Sequence, residues 1–184
     1  MAETTVLDVV VLWRTRVRYI GITIAVVVLN YGLDRLTKLL AIEFLKGRPL
    51  VSFFGDLVVL VYAENTEAFL SMGSVWSPFL KYLLFLVIPG ILCLYGLFWC
   101  FLKARDLPRL VLVSIIIGGG SGNLVDRIAN DFRVVDFLNF GIGRLRTGVL
   151  NVADLSVTFG TLLLILAEYR REKRERVHGS ESKS

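Results

Sequence analysis

Histidine is almost missing from these 184 residues: the single one, His178, stands in the polar C-terminal tail. A Ser-His-Asp triad and a His-based metal site both lack their parts. Cysteine is nearly as scarce. Cys93 and Cys100 lie inside one apolar run, on roughly one helix face, and read as small packing residues rather than a disulfide or a nucleophile. Charge is low as well, at 20% of residues against 55% from the hydrophobic set, with a mean hydropathy of +0.66. That balance excludes a soluble enzyme, a disordered protein and a disulfide-stapled secreted domain.

What the chain has instead is a series of nearly uncharged stretches about 20 residues long, the signature of membrane spans. The first runs from Tyr19 to Leu33 behind Arg14, Arg16 and Arg18. A basic stretch before an apolar run also describes a signal peptide. No small-x-small cleavage site follows, and Asp34-Arg35-Leu36-Thr37-Lys38 continues the helical pattern, so the expectation is a retained span. The second run, Phe79 to Leu102, is flanked by Trp76 and Tyr82 at one end and Trp99 at the other, as interfacial belts require. Pro89-Gly90 should kink it. The third covers Leu110 to Val125, and the fourth Val152 to Leu166.

The expected fold is therefore a membrane all-α bundle of four transmembrane helices with a small extracytoplasmic β-rich insert. Residues 1–18 form an N-terminal segment, 19–168 the membrane domain and 169–184 a basic tail. Two inserts interrupt the domain, 43–77 and 129–150. Alternation in Leu57-Val58-Val59-Leu60-Val61-Tyr62 favours short strands in the first, and Arg133-Val134-Val135-Asp136-Phe137 suggests another strand in the second. The N-terminus, the loop with Lys103, Arg105 and Arg109, and the tail from Arg170 carry twelve of the 21 basic residues. Short Lys/Arg-rich loops stay cytoplasmic, which puts both termini inside and both inserts outside. The tail should also touch anionic lipid.

Three polar clusters remain near the outer ends of the spans, where charge needs a partner or a task. Asp34 and Lys38 stand four apart on one helix face and can pair there; a plain helix-end anchor would look the same. Gly118 to Arg127 reads GGGSGNLVDR. Gly118 and Gly122 fit small-xxx-small helix packing, and Asn123 and Arg127 share a face. The alternative is that these glycines admit a substrate whose backbone the polar groups hold. The third cluster is the set of acids Asp126, Asp131, Asp136 and Asp154. Asn151 and Asp154 suit a helix N-cap and its third position. Asp136 is harder to explain, because Val134, Val135 and Phe137 surround it. Two carboxylates brought together at a membrane interface share one proton, which makes one an acid and the other a base able to activate water. With no histidine in the domain, this is the simplest hydrolytic chemistry on offer.

The residues resemble the lipoprotein signal peptidase (signal peptidase II) family of bacterial inner-membrane aspartic peptidases. The pieces that carry the resemblance are DRLTK (34–38), ENTEAF (64–69), GGGSGNLVDRI (118–128), RVVDFLNF (133–140) and NVAD (151–154), in family order over roughly residues 19–168. The resemblance implies that Asp136 and Asp154 are catalytic. It implies that Asp34, Lys38, Asn65, Asn123, Asp126, Arg127 and Asn151 order the site and hold the substrate. It further implies removal of the signal peptide from lipid-modified prolipoproteins by cleavage before the diacylglyceryl-cysteine. The enzyme would be a multi-pass monomer without metal or cofactor, with no nucleic-acid partner, and its active site would face the outer side of the cytoplasmic membrane. Asp126 adjoins Arg127, a cation that favours a permanently charged structural role.

The chain departs from the family at Glu67, where a glycine commonly follows the Asn-Thr pair. Glu67 is then either an exposed acid on a re-formed loop or a partner of Arg127 or Arg133. Two other functions compete with the leading one. A Ser-Lys peptidase would need a serine beside Lys38, which local spacing does not supply. A small transporter or assembly factor would use the same acids without cutting a peptide.

Overall fold

Among the residues described by the computed structural model, 6–66 and 76–181, four helices are long and apolar enough to cross a membrane. Glu67 lies outside the described residues. The first helix is longer than its apolar run, spanning Val6–Leu45. Arg14, Arg16 and Arg18 continue it, because hydropathy marks where a helix meets lipid rather than where the helix ends. The fourth likewise runs on from its apolar part through the basic stretch, over Val152–Glu181, with Arg171 and Glu175 paired one turn apart at 2.6 Å.

The second helix, Pro78–Leu102, contains one wide turn over Leu83–Val87, where Ile88 N–H reaches back five residues to Leu83 C=O. Pro89 explains it. The proline has no N–H to offer Phe85, and its ring would strike that carbonyl in a regular helix, so the backbone widens ahead of it. The expected distortion is thus a π-turn placed just before the proline. Ser77 caps the helix start, its hydroxyl accepting from Leu80 N–H.

The third helix, Leu107–Ala129, packs against each of the other three. Its glycines let it do so. A Cβ on Gly118 would sit 2.9 Å from Asn30 Cβ of the first helix, and one on Gly119 would sit 2.7 Å from Ala153 O of the fourth. A Cβ on Gly122 would collide with the Asp34 carboxylate. Gly118 and Gly122 therefore serve the small-xxx-small contact with the first helix, while Gly119 serves the fourth. Gly120 faces Cys93 of the second. Cys100 is wholly buried against Leu110 and Ile117, as a packing residue should be.

Between the first and second helices the chain forms β1 (Val51–Phe53) and β2 (Val58–Asn65); between the third and fourth it forms β3 (Val134–Ile142) and β4 (Leu145–Arg146). The four strands make one antiparallel sheet in the order β1-β2-β3-β4. Phe137, Val135 and Leu60 pack it on Ala41 and Leu45 near the end of the first helix. The pairing of β2 with β3 is interrupted. Leu60 stands opposite Leu138, but Ala63 stands opposite Asp136, so β2 carries one extra residue between them. That bulge has a consequence for the face each side chain takes. Continuing the register of Val58–Leu60 would set Tyr62 opposite Asp136 and bring Glu64 onto its face. The shifted register puts Asn65 there instead, and sends Glu64 to the other side.

The bundle has two different ends. At one, Arg16 donates to Ala104 O, Tyr19 OH to Arg105 O, and Arg109 pairs with Glu168 at 2.8 Å. The sheet and the polar clusters gather at the other.

Candidate active site

Asp136 lies on β3, 2% exposed, among buried Val134, Val135 and Phe137. Its two oxygens are held by amides. Asn65 Nδ2, the diagonal neighbour across the strand pair, donates to Oδ2 at 2.9 Å, and Asn151 Nδ2 donates to Oδ1 at 2.6 Å. Asn151 caps the fourth helix. Its Oδ1 accepts from Asp154 N–H at 2.9 Å, while its own N–H donates to Asp154 Oδ2 at 3.1 Å. This reciprocal capping box is local and follows from the sequence spacing Asn-x-x-Asp. It also fixes the Asp154 carboxyl group in one orientation.

Asn123, on the third helix, closes the circuit. Its Nδ2 donates to Asp154 Oδ1 at 2.8 Å, and its Oδ1 accepts from Asn151 Nδ2 at 3.1 Å and from Lys38 Nζ at 3.0 Å. The two acids are therefore joined through two side-chain amides, each using both its donor and acceptor sides. Burial, with the charge of Asp154 added, pushes Asp136 up to about 7; the amide hydrogen bonds act in the opposite sense.

A second pair of acids sits beside the first, and cations hold it. Lys38, 1% exposed, places Nζ 2.7 Å from Asp34 Oδ2 and 2.7 Å from Asp126 Oδ2. Asp34 Oδ1 also accepts the Ala153 N–H, 2.9 Å away, one of the free donors in the first turn of the fourth helix. Arg35 binds Asp126 from its other side. The structural role expected for Asp126 thus has different partners from the one adjacency suggests. Arg127 instead donates to Asn123 O at 3.3 Å and lies over the Phe85 and Phe132 rings. Its Nε is buried and has no hydrogen-bond partner among the described residues.

Charge counting distinguishes the two pairs. Asp34, Asp126, Asp136 and Asp154 face Lys38, Arg35 and Arg127 in one network, buried at Asp34, Lys38, Asp126 and Asp136 and half-buried at Arg35, Arg127 and Asp154. Four carboxylates against three cations leave one negative charge too many for an apolar surrounding. One proton retained on the Asp136–Asp154 pair restores balance.

A largely apolar cavity of about 380 Å³ opens between the second, third and fourth helices, reaching Asp154, Asn123 and Arg127 from walls that include Phe85, Leu92 and Val157.

All nine residues singled out in the sequence fall in or against this network. Asp131, also among the acids weighed, does not; it occupies a turn with φ +50°. Three participants escaped sequence reasoning. Arg35 hid behind the Asp34–Lys38 spacing. Asn30 donates to Ile115 O at 2.7 Å and accepts from Ser156 Oγ at 2.9 Å, tying the first, third and fourth helices just behind the site. Both Asn30 and Ser156 stand inside apolar runs, where a polar side chain is itself a signal.

The family model described as signal peptidase (SPase) II matches residues 24–170. A lipoprotein signal peptidase of Borrelia turicatae (strain 91E135) is 36% identical over 138 residues, which is 72% of this chain and 81% of the relative. One from Borrelia hermsii (strain HS1 / DAH) is 35% identical over 156 residues, 82% of this chain and 91% of its own. Two solved bacterial membrane enzymes, determined in meso at 2.3 Å and 1.9 Å, share the fold with TM-scores of 0.71 and 0.68. Each is 24% identical; the first covers 84% of this chain and 91% of its own, the second 80% and 92%.

Proposed function

Because the chain belongs to the signal peptidase II family, we propose that Asp136 and Asp154 are the catalytic pair with which it removes signal peptides from prolipoproteins. The observation that carries this reading is the amide-bridged carboxyl pair, set apart from the cation-bound pair beside it. Asp34, Lys38 and Asp126 hold the first and third helices in place. Asn65, Asn123 and Asn151 orient the reacting carboxyls, and Arg127, which lines the apolar cavity beside them, holds the substrate.

The reaction is a water addition followed by a bond cleavage. The ionised carboxylate of the pair takes a proton from water as the oxygen attacks the scissile carbonyl carbon. The protonated carboxyl gives its proton to the carbonyl oxygen, forming a tetrahedral diol. Collapse of the diol breaks the C–N bond: the proton taken from water passes to the leaving nitrogen, and a diol hydroxyl returns its proton to the other carboxylate, which restores the pair. With a lipid-modified prolipoprotein, that amino group belongs to the diacylglyceryl-cysteine, and the apolar cavity beside Asp154 receives the apolar residues before it. The network is complete within one chain, which supports a monomeric enzyme. The exposed apolar faces of the spans, Leu29 and Leu163 among them, meet membrane lipid.

The basic residues concentrate at the end of the bundle away from the sheet. By the bias of short loops this end is cytoplasmic, with both termini, and the carboxyl pair opens to the outer face where exported precursors arrive. Reporter tags near Arg105 and at both termini should read as cytoplasmic and a tag near Gly55 as external; a mixed result within the cytoplasmic set would reverse the assignment. For the chemistry, purified protein incubated with a lipidated precursor peptide should release the signal peptide as a gel shift. The Asp136→Asn, Asp154→Asn double variant should leave the precursor whole. Cleavage by that variant would remove the pair from the mechanism.

A further inference from the structure

We propose that Glu64 is a positioning residue for the reaction: by tying the end of β2 to the first helix and to the start of β3, it holds Asn65 on the carboxyl group of Asp136. This rests on the reading of Asp136 as a member of the catalytic pair. Glu64 itself cannot touch that pair. It stands opposite Val135 on β2, one residue from Asn65, and so faces the other side of the sheet. There it gathers three donors. Oε1 accepts from Lys46 Nζ at 2.8 Å and from Tyr62 OH at 2.7 Å, and Oε2 accepts from Arg133 Nη1 at 2.9 Å.

The three donors come from three places. Lys46 follows directly on the first helix, Arg133 directly precedes β3, and Tyr62 stands two residues back on β2. A single exposed ion pair adds little stability. Three donors on one carboxylate form a network that fixes the relative position of three elements. Asn65 ends β2, so the staple at Glu64 is a lateral restraint next to the Asn65–Asp136 hydrogen bond. Among the described residues, Asp131 is the other ionisable group around this cluster; it lines a surface cavity of about 320 Å³ with Lys46, Tyr62, Glu64 and Arg133.

The hydrogen bond from Asn65 favours the ionised form of Asp136. Loosening it therefore has a signature that a general loss of fold lacks. The experiment uses the full chain in detergent, a lipidated precursor peptide, and pH profiles of kcat for Glu64→Ala, Glu64→Gln, Asn65→Ala and the Glu64→Ala, Asn65→Ala double variant. Glu64→Ala should lower kcat roughly tenfold, within the range of coupling between neighbouring groups, with a smaller change in KM. The alkaline limb of its profile should move to higher pH. Glu64→Gln, which keeps an acceptor for Lys46 and Tyr62, should recover part of the loss. In the Asn65→Ala background, Glu64→Ala should add almost nothing. Wild-type kcat and profile in Glu64→Ala would overturn the proposal. So would an equal fall in both backgrounds, or a fall that follows the melting temperature with no shift of the limb. If Asp136→Asn is itself active, the reading beneath fails instead, and that variant distinguishes the two failures.

Discussion

Two pairs of acids stand side by side at one end of this bundle, three of the four buried, and they are solvated in different ways. Asp34 and Asp126 meet cations, Lys38 and Arg35. Asp136 and Asp154 meet amides, from Asn65, Asn151 and Asn123. A cation compensates a carboxylate's charge. An amide orients the carboxylate and satisfies its lone pairs, but leaves the charge uncompensated. On the proposed reading the pair held by amides is the one that keeps a proton, on Asp136, and with it an acid and a base in one place. The cation-held pair does mechanical work, fastening the first helix to the third and, through Ala153 N–H, to the fourth. Residue type is the same in both pairs; the partners differ.

The sharpest way to break this comparison is to exchange the two kinds of loss. Asp136→Asn and Asp154→Asn should each lower kcat by about a thousandfold or more, in line with loss of general acid–base catalysis, while the helical circular dichroism of the detergent-solubilised protein stays unchanged. Turnover within tenfold of wild type in either variant would end the distinction. Lys38→Met should do the reverse. Removing a buried cation from two carboxylates typically costs about 3–5 kcal/mol, so the variant should melt far lower or fail to accumulate. Asp126→Asn should follow Lys38→Met in losing stability more than turnover.

A pH titration sharpens the same contrast. The folded protein keeps a proton on Asp136 up to about 7, whereas the unfolded chain releases it near 3.8. Between those values the folded state binds more protons, so its stability falls as pH rises through the window. Asp136→Asn has no proton to lose. Its melting temperature should exceed that of the wild type at about pH 8, by an amount worth a few kcal/mol at most, and the gap should close by about pH 4. A constant difference across the range would assign the effect to packing rather than titration. The smallest expected effect concerns the scaffold. A Cβ at Gly119 would press on Ala153 O and Ser156 Cβ, so Gly119→Ala should destabilise by about 1–3 kcal/mol. It should also lower kcat, because the helix start it displaces carries Asn151 and Asp154. Unchanged activity at reduced stability would show that the fourth helix tolerates the shift.

Much of the site was readable along the chain because its parts are local. The pair Asp34/Lys38, the box Asn151/Asp154 and the run Gly118–Arg127 each depend on helix geometry, which repeats every few residues. The four spans were readable for a similar reason, since the lipid interior demands long apolar runs. What escaped depends on contacts between distant segments. Adjacency pointed to Arg127 as the partner of Asp126, yet side chains at i and i+1 of a helix diverge, and the cations that reach Asp126 come from the first helix.

The amino-acid sequence by itself settled that this is a four-span membrane protein, where its apolar spans lie, and which acids and amides stand at their ends. Those features follow from hydropathy and local periodicity, which need no knowledge of neighbours. Folding settled which acids receive cations and which receive amides. It also settled that Gly118, Gly119 and Gly120 each face a different helix, and that one extra residue in β2 turns Asn65, rather than Glu64, toward Asp136. These outcomes turn on rotation and register between segments far apart in the chain. A shift of one residue there reverses the face of every side chain beyond it.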